Sequence, residues 1–205
     1  MRYLVLLCLV VLASCGRRDA GGVDPHSDKA YPTKLSEWRI FTSGLQPNRG
    51  VVPYNVATPL ICDLLDDVPL IERMLVMVQR EAAERFCATP RTPQYGAVTV
   101  KISYWATARI AGMVPASVFV PKPNVESALA DIRRRAEPAV EVSPDDLFHL
   151  VRTAFGQRRK MMRRSLADLV APEVFEAAGI DSQRRPEELD VFEWGRLALA
   201  WRAAQ

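Results

Sequence analysis

The chain has 205 residues, of which 49% are hydrophobic, so it is long enough for one medium-sized domain or two small ones with buried cores. Its formal net charge of +3 is too small to indicate a polyanionic partner, so such a partner would have to be recognised by a local cluster of basic residues. Four cysteines and two histidines are spaced as in no zinc or haem-attachment motif, which predicts no metal site and small apolar roles for Cys62 and Cys87.

The first fifteen residues are typical of a bacterial export signal. Arg2 precedes an apolar run over residues 3–13, which is too short to span a bilayer stably. Small residues then precede Cys15, as in the lipobox of bacterial lipoproteins, where the cysteine becomes the acylated first residue. The pattern predicts a lipoprotein-type signal peptide at residues 1–15 and a membrane anchor at Cys15. A buried N-terminal helix or strand is the alternative.

Helix and strand patterns alternate between residues 51 and 135. Apolar residues at helical spacing or in aliphatic runs distinguish the two types, and residues 95–105 fit either. The helix patterns cover residues 58–67 and 81–87, and the strand patterns cover residues 71–78, 109–114 and 125–132. This alternation is typical of the later part of a doubly wound α/β sheet.

The remainder of the chain, residues 136–205, is predicted to form a small all-helical domain. Ser143-Pro-Asp-Asp is typical of a helix start, with a capping serine, proline at the first helical position and acids in the first turn. Apolar residues from Leu147 to Ala154 then recur at helical spacing. Three more helices are predicted over residues 165–170, 172–178 and 186–200.

Several motifs occur together in one known family. They are Pro53-Tyr-Asn55, Gln79-Arg-Glu-Ala-Ala-Glu-Arg85, Tyr95-Gly96, Phe119-Val-Pro-Lys-Pro123 and Phe155-Gly-Gln-Arg-Arg-Lys-Met-Met-Arg-Arg164. From about residue 52 to residue 197, the chain resembles the bacterial 16S rRNA adenine dimethyltransferases, the KsgA-like family. The resemblance implies an α/β fold, namely an incomplete Rossmann-like methyltransferase sheet without its first strands, followed by a small all-α domain. It also favours a helix at residues 95–105.

The predicted organisation joins this family to a different leader. Residues 31–60 contain Leu45-Gln-Pro and Val51-Val-Pro-Tyr, and they resemble the start of a family of exported haem-associated lipoproteins. We therefore expect a signal peptide at 1–15, a tether and leader at 16–50, the C-terminal half of a methyltransferase catalytic domain at 51–135 and an RNA-contacting helical domain at 136–205. The join would lie within residues 51–60. Unless the leader covers it, the edge of the incomplete sheet would be exposed.

The resemblance assigns a clamp for an adenine base. Methylating an adenine amine in RNA requires the base to be flipped out and held between flat side chains, with an acceptor orienting the amine. By position, Pro53 retains a carbonyl acceptor, Tyr54 the stacking ring and Phe119 the opposite wall. The family's asparagine acceptor is Val51 here, so half of the grip on the amine is missing. Alternatively, Tyr54 and Phe119 are ordinary core aromatics.

The same resemblance implies S-adenosylmethionine as the methyl donor. Its family site needs a strand, a glycine-rich loop and a helix in that order, together with an acid that holds the ribose. Residues 1–50 contain no such sequence, so no residue is assigned to the cofactor. The sequence therefore predicts little or no methyl transfer. Glu81 and Glu84 in the matching family motif are predicted to form helix-face ion pairs.

Basic residues cluster in one segment of the helical domain. Five of seven positions are basic and none is acidic, which suits contacts with RNA phosphates on small-subunit rRNA or the ribosomal subunit. They are Arg158, Arg159, Lys160, Arg163 and Arg164. We expect a continuous helix here, with Arg159 and Arg163 on one face and Lys160 and Arg164 on its neighbour. A merely solvated helix face is the alternative.

Three functions follow. The first is a cytoplasmic member of the rRNA dimethyltransferase family, fused to a leader and impaired in the ancestral methylation of adjacent adenines during ribosome biogenesis. The second is a non-catalytic RNA-binding module that retains the basic cluster. The third is an exported lipoprotein whose role lies in the leader.

Overall fold

The computed structural model describes residues 11–15, 39–41, 54–119 and 123–205, with side chains from Ala57 onward. The chain divides into two compact units. Met1–Cys87 and Ala106–Glu137 form the first, here called the sheet unit, and Ala88–Trp105 and Pro138–Gln205 form the second, the helical unit. The predicted single boundary after residue 135 therefore needs correction, because residues 88–105 belong to the helical unit and not to the sheet unit. The reason is packing, since Val100 and Tyr104 are buried in the core of the helical unit.

The described residues of the sheet unit include five strands, which form one sheet in the order β2-β1-β3-β5-β4. They are β1 Val11–Cys15, β2 Arg39–Phe41, β3 Ile71–Gln79, β4 Ala106–Val114 and β5 Ser127–Arg134. Because β3 and β4 both pair antiparallel with β5, they run parallel to each other. The α/β class is confirmed, and the predicted strands at 71–78, 109–114 and 125–132 are all present, each within a few residues of its predicted bounds.

In the part of the sheet unit that the structure describes, two α-helices accompany the sheet, α1 Tyr54–Asp67 and α2 Arg80–Phe86, where helices were predicted. Side chains alternate along β3, so that Met74, Val76 and Val78 are buried. The end of α1 is held by Arg134, whose guanidinium donates to the carbonyl oxygens of Leu64, Leu65 and Val68 at 2.8 to 3.2 Å. A guanidinium bonded to carbonyls at the C-terminus of a helix stabilises that end, because its positive charge complements the partial negative charge there.

The leader supplies a neighbour for β3. In the register, Leu12 lies opposite Leu75, and Cys15 lies opposite Ile71. On its other side, β1 pairs antiparallel with β2. The edge of β3, which was expected to be exposed unless the leader covers it, is thus covered by β1. At the opposite edge, Ile110 and Met113 of β4 are exposed.

The helical unit contains five α-helices among its residues. They are α3 Ala97–Trp105, α4 Pro144–Gly156, α5 Met162–Ser165, α6 Pro172–Ala177 and α7 Val191–Ala203, with a 3₁₀ helix at Pro186–Glu188 before α7. Trp194 is fully buried at the centre of the core. The helix expected over residues 95–105 is confirmed as α3.

Three local predictions in this unit need correction. The segment expected to be a helix at 165–170 is a turn that follows α5: this helix ends at Ser165, and the amides of Leu169 and Val170 both bond to the carbonyl of Leu166 at 2.9 Å. The helix expected at 186–200 is a 3₁₀ turn followed by α7, which starts after the N-cap Asp190. Ser143 occupies the N-cap of α4 as predicted, but its hydroxyl makes no capping hydrogen bond.

Candidate nucleic-acid interface

The predicted basic cluster lies on a connection between two helices. We call residues 157–164 the basic connection. Helix α4 ends at Gly156, a turn closes through the amide of Lys160 and the carbonyl of Gln157 at 2.8 Å, and α5 begins at Met162. Met161 has extended backbone angles, which no continuing helix could accommodate. The predicted continuous helix, with paired faces at i and i+4, is therefore wrong.

Four of the five basic side chains face solvent. Those of Arg159, Lys160, Arg163 and Arg164 belong to exposed residues. Arg158 differs, since it is half-buried and donates to the carbonyl of Pro93 at 2.9 Å, and its Nε lies 3.8 Å from a carboxylate oxygen of Glu187. Arg158 therefore anchors the connection to two other segments of the helical unit, while the other four remain accessible to phosphate.

Buried apolar side chains anchor the basic connection in the core of the helical unit. Met162 and Leu166 are fully buried, and they alternate with the exposed arginines of α5. The first amides of α5 are bonded to the loop of residues 181–185, because Met162 donates to the Arg184 carbonyl at 2.8 Å and Arg163 donates to the Ser182 carbonyl at 3.0 Å. The backbone under the basic side chains is thus fixed rather than solvated.

The 181–185 loop is itself held by an ion pair. Arg184 contacts both carboxylate oxygens of Glu193, at 2.5 and 2.9 Å, and also donates to the carbonyl of Glu188. The hydrogen bond to Glu193 raises the pKa of Arg184, and the same bond lowers the pKa of Glu193. Glu193 also belongs to a capping box with Asp190 at the start of α7. Sequence inspection missed this pair, whose only signal is the Asp-x-x-Glu spacing of that box.

The proposed base clamp is only partly within the described residues. Pro53 and Val51 lie outside them, as does the side chain of Tyr54, whose backbone starts α1. Phe119 is half-buried and directly follows the 3₁₀ helix Ala116–Val118, with its amide bonded to the carbonyl of Ala116 at 3.3 Å. The clamp of Pro53, Tyr54 and Phe119 stays a prediction.

The family motif at residues 79–85 forms ion pairs along α2. Arg80 contacts Glu84 at 2.7 Å and Glu126 at 2.8 Å, and Arg85 contacts Glu81 at 2.8 Å. The hydrogen bond with Glu84 is the main cause that raises the pKa of Arg80. The prediction of helix-face ion pairs is confirmed.

A buried carboxylate in the sheet was not anticipated. The side chain of Asp131 is fully buried in β5, and it accepts from Arg73 at 2.6 and 2.9 Å and from Arg109 at 3.0 Å, with Arg133 at 3.4 Å. Burial raises the pKa of Asp131, but these arginines outweigh it and hold the pKa below its ordinary value. An acid between the apolar residues Ala130 and Ile132 of a predicted strand was the one available signal. The cluster joins three strands and is a structural element of the sheet.

The described residues do not fit the methyl donor's family site. None of the five glycines among them lies in a loop that leads from a strand into a helix. In chain order, the first precedes α3 after a loop, the second lies in β4, the third ends α4, the fourth follows α6 with a φ of +66°, and the fifth packs within α7. They are Gly96, Gly112, Gly156, Gly179 and Gly195. Across residues 54–119 and 123–205, no glycine loop joins a strand to a helix, so no residue is assigned to the cofactor.

The predicted lipidation site lies in a strand. Cys15 is the last residue of β1, opposite Ile71 of β3. Among the helices that the structure describes, none combines the length and the apolar character that a bilayer crossing requires. Acylation of Cys15 stays a prediction.

Comparison with known proteins identifies the family. The model of the ribosomal RNA adenine dimethylase family matches residues 49–200. Ribosomal RNA small subunit methyltransferase A of Thermobifida fusca is 41% identical over 152 residues, which is 72% of this chain and 53% of the relative. The protein of that name from Acidothermus cellulolyticus is 42% identical over 154 residues, 73% of this chain and 53% of the relative. The chain thus spans about half the length of the curated relatives it matches.

Two solved structures agree in fold. A dimethyladenosine transferase from Plasmodium falciparum has a TM-score of 0.64 at 21% identity, covering 74% of this chain and 65% of that one. The 23S rRNA methyltransferase ErmE has a TM-score of 0.55 at 24% identity, covering 74% of this chain and 63% of that one. The motif resemblance is confirmed by the family match, and this chain belongs to the ribosomal RNA adenine dimethylase family.

Proposed function

We propose that this chain binds small-subunit ribosomal RNA through the basic connection of its helical unit. The supporting observation is the set of four exposed basic side chains on a backbone that is hydrogen-bonded to a second loop. Because a backbone that is already fixed does not have to be ordered on binding, such a surface favours phosphate contacts. The relatives named for small-subunit rRNA supply the class of RNA.

The interaction is expected to be mainly electrostatic. The basic connection contains no acidic residue, and the neighbouring Glu187 lies against Arg158 rather than against the exposed arginines. Each phosphate neutralised releases counterions, so affinity falls as salt rises. Contacts of this kind position the protein on RNA without reading its sequence, and the predicted base clamp of Pro53, Tyr54 and Phe119 would select the adenine.

Methyl transfer by this chain is proposed to be slow or absent. When bound, S-adenosylmethionine supplies the methyl group, but the described residues contain no site that fits it. Val51 in place of the family asparagine also removes a hydrogen-bond acceptor for the adenine amine. A methyl-transfer assay on unmethylated small ribosomal subunits tests this, and turnover near that of a full-length relative would refute it.

Salt-dependent RNA binding is tested with matched arginine variants. Arg163→Ala should weaken binding of unmodified small-subunit rRNA and flatten the dependence of log Kd on log salt by about 0.7 to 0.9 for each phosphate that is no longer neutralised. Arg202→Ala is the control, because it removes an equal charge from an exposed side chain near the end of α7, about 14 Å along that helix from Glu193. Equal effects of the two variants would refute a local RNA surface.

A second candidate function, that of an exported lipoprotein, depends on Cys15. Cleavage before this cysteine would remove residues 11–14 of β1, of which residues 12–14 pair with β3. The pairing therefore favours a chain that keeps its first residues, and hence a cytosolic RNA-binding protein. Intact-mass measurement after fractionation of cells tests the alternative. Recovery in membranes with an acylated Cys15 at the N-terminus would support the lipoprotein, and cytosolic recovery with residues 11–14 intact would exclude it.

A further inference from the structure

We infer that the basic connection and the 181–185 loop form a single phosphate-binding surface, which the Arg184–Glu193 ion pair holds in shape. The inference rests on the proposed RNA binding and extends it to a second segment of the chain. It assigns Arg185 as a further phosphate contact and Arg184 and Glu193 as positioning residues. None of these three belongs to the basic run that the sequence makes conspicuous.

Backbone hydrogen bonds join the two segments directly. Met162 donates to the Arg184 carbonyl at 2.8 Å, and Arg163 donates to the Ser182 carbonyl at 3.0 Å. These bonds occupy the two amides at the start of α5, so phosphate must be met by side chains rather than by that helix end. Arg185 is exposed and immediately follows a residue bonded to α5. The exposed arginines of both segments are therefore carried by backbones that are directly hydrogen-bonded to each other.

The ion pair connects this surface to the core. The side chains of Arg184 and Glu193 are each only 20% exposed, and their closest approach is 2.5 Å. Glu193 accepts in addition from the amide of Asp190 at 3.0 Å, at the N-terminus of α7. A shift of Arg184 would move its own carbonyl and thus the Met162 amide bonded to it. The position of α5 consequently depends on the charge of Glu193.

Charge and geometry predict opposite effects when Glu193 is neutralised. Glu193→Gln removes a negative charge close to a basic surface, and by long-range electrostatics alone this change would strengthen RNA binding. If the carboxylate instead positions Arg184, the same change releases the 181–185 loop and weakens binding. The sign of the change in affinity therefore separates a positioning role from a general electrostatic one.

The experiment compares full-length variants for binding of unmodified small-subunit rRNA over a range of salt concentrations. Glu193→Gln is expected to weaken binding several-fold and to flatten the salt dependence. Arg185→Ala is expected to weaken it and to flatten the slope by the amount that one neutralised phosphate contributes. Glu141→Gln is the matched control, since it removes an exposed acid that lies outside both segments of the proposed surface, before the start of α4, and it should bind as well as the wild type or better.

The outcomes distinguish the inference from the function it extends. If Glu193→Gln binds as Glu141→Gln does, in its folded fraction, the positioning role is overturned and RNA binding by the basic connection stands. If the wild type shows no salt-dependent binding, both are overturned. Should Glu193→Gln fail to fold, amide hydrogen exchange of the wild type decides. RNA must then protect residues 181–185 together with residues 157–164, and protection confined to the latter refutes the shared surface.

Discussion

The buried carboxylate of Asp131 offers a test of what holds the sheet unit together. Asp131→Asn keeps the volume of the side chain and removes its charge. In the wild type, Arg73 donates two hydrogen bonds to this carboxylate, and Arg109 donates another. An amide group accepts through one oxygen only, and its own N–H groups would face the guanidinium groups. The substitution thus disturbs a cluster that spans β3, β4 and β5.

The expected loss comes mostly from one of the three arginines. The side chains of Arg109 and Arg133 are 63% and 42% exposed, so water solvates their charges and their ion pairs with Asp131 contribute little to the loss of stability. The Arg73 side chain is only 16% exposed, and its partner is fully buried. Breaking a buried charge pair from one side costs about 3 to 5 kcal/mol, and we expect the lower end because two of the three cations are solvated.

Hydrogen exchange of the amides in β3 and β5 measures this loss, because global unfolding of a chain with two units need not be a single transition. A loss of about 3 kcal/mol would speed exchange through opening of the sheet roughly 100-fold. Asp63→Asn is the control, an exposed aspartate on α1 of the same unit. Exchange in Asp131→Asn that matches this control would contradict the assignment of the cluster as a stabilising element.

Three further predictions concern pH and the helical unit. The pKa of Asp131 is lowered in the folded state, so its contribution to the free energy of unfolding is complete above the ordinary aspartate pKa of about 4 and is lost as pH falls below it. Acid should therefore destabilise the wild type more steeply than Asp131→Asn. Gly195→Ala would place a methyl group 2.6 Å from Val140, so it should lower the stability of the helical unit by about 1 to 3 kcal/mol, measured by urea unfolding. Gly156→Ala is the control, because open space surrounds Gly156 and no steric loss is expected. Tyr95→Phe removes a buried hydrogen bond of 2.7 Å to a backbone carbonyl and should cost about 1 kcal/mol, measured in the same way; an unchanged midpoint would argue against that bond.

Local patterns were sufficient for most of the elements. The aliphatic run at residues 71–78 and the helical period at residues 58–67 predict β3 and α1, because burial of one face imposes its period on the chain. The motifs around Gln79, Phe119 and Phe155 identified the family, and the match over residues 49–200 agrees with the extent that they indicated. Composition also located the basic side chains, and four of the five are exposed as a phosphate surface requires.

Interactions between residues distant in sequence decided the rest. The bonds from Met162 and Arg163 to the 181–185 loop shape the basic connection, and they stop a helix that local propensity would continue. The burial of Asp131 depends on which strands flank β5, and α3 joins the helical unit through packing of Val100 and Tyr104. The amino-acid sequence by itself determined the family, the periodic elements and where positive charge accumulates, since each follows from neighbouring residues. Only the tertiary structure decided which charges are held and which are free to bind, because that depends on partners many residues away.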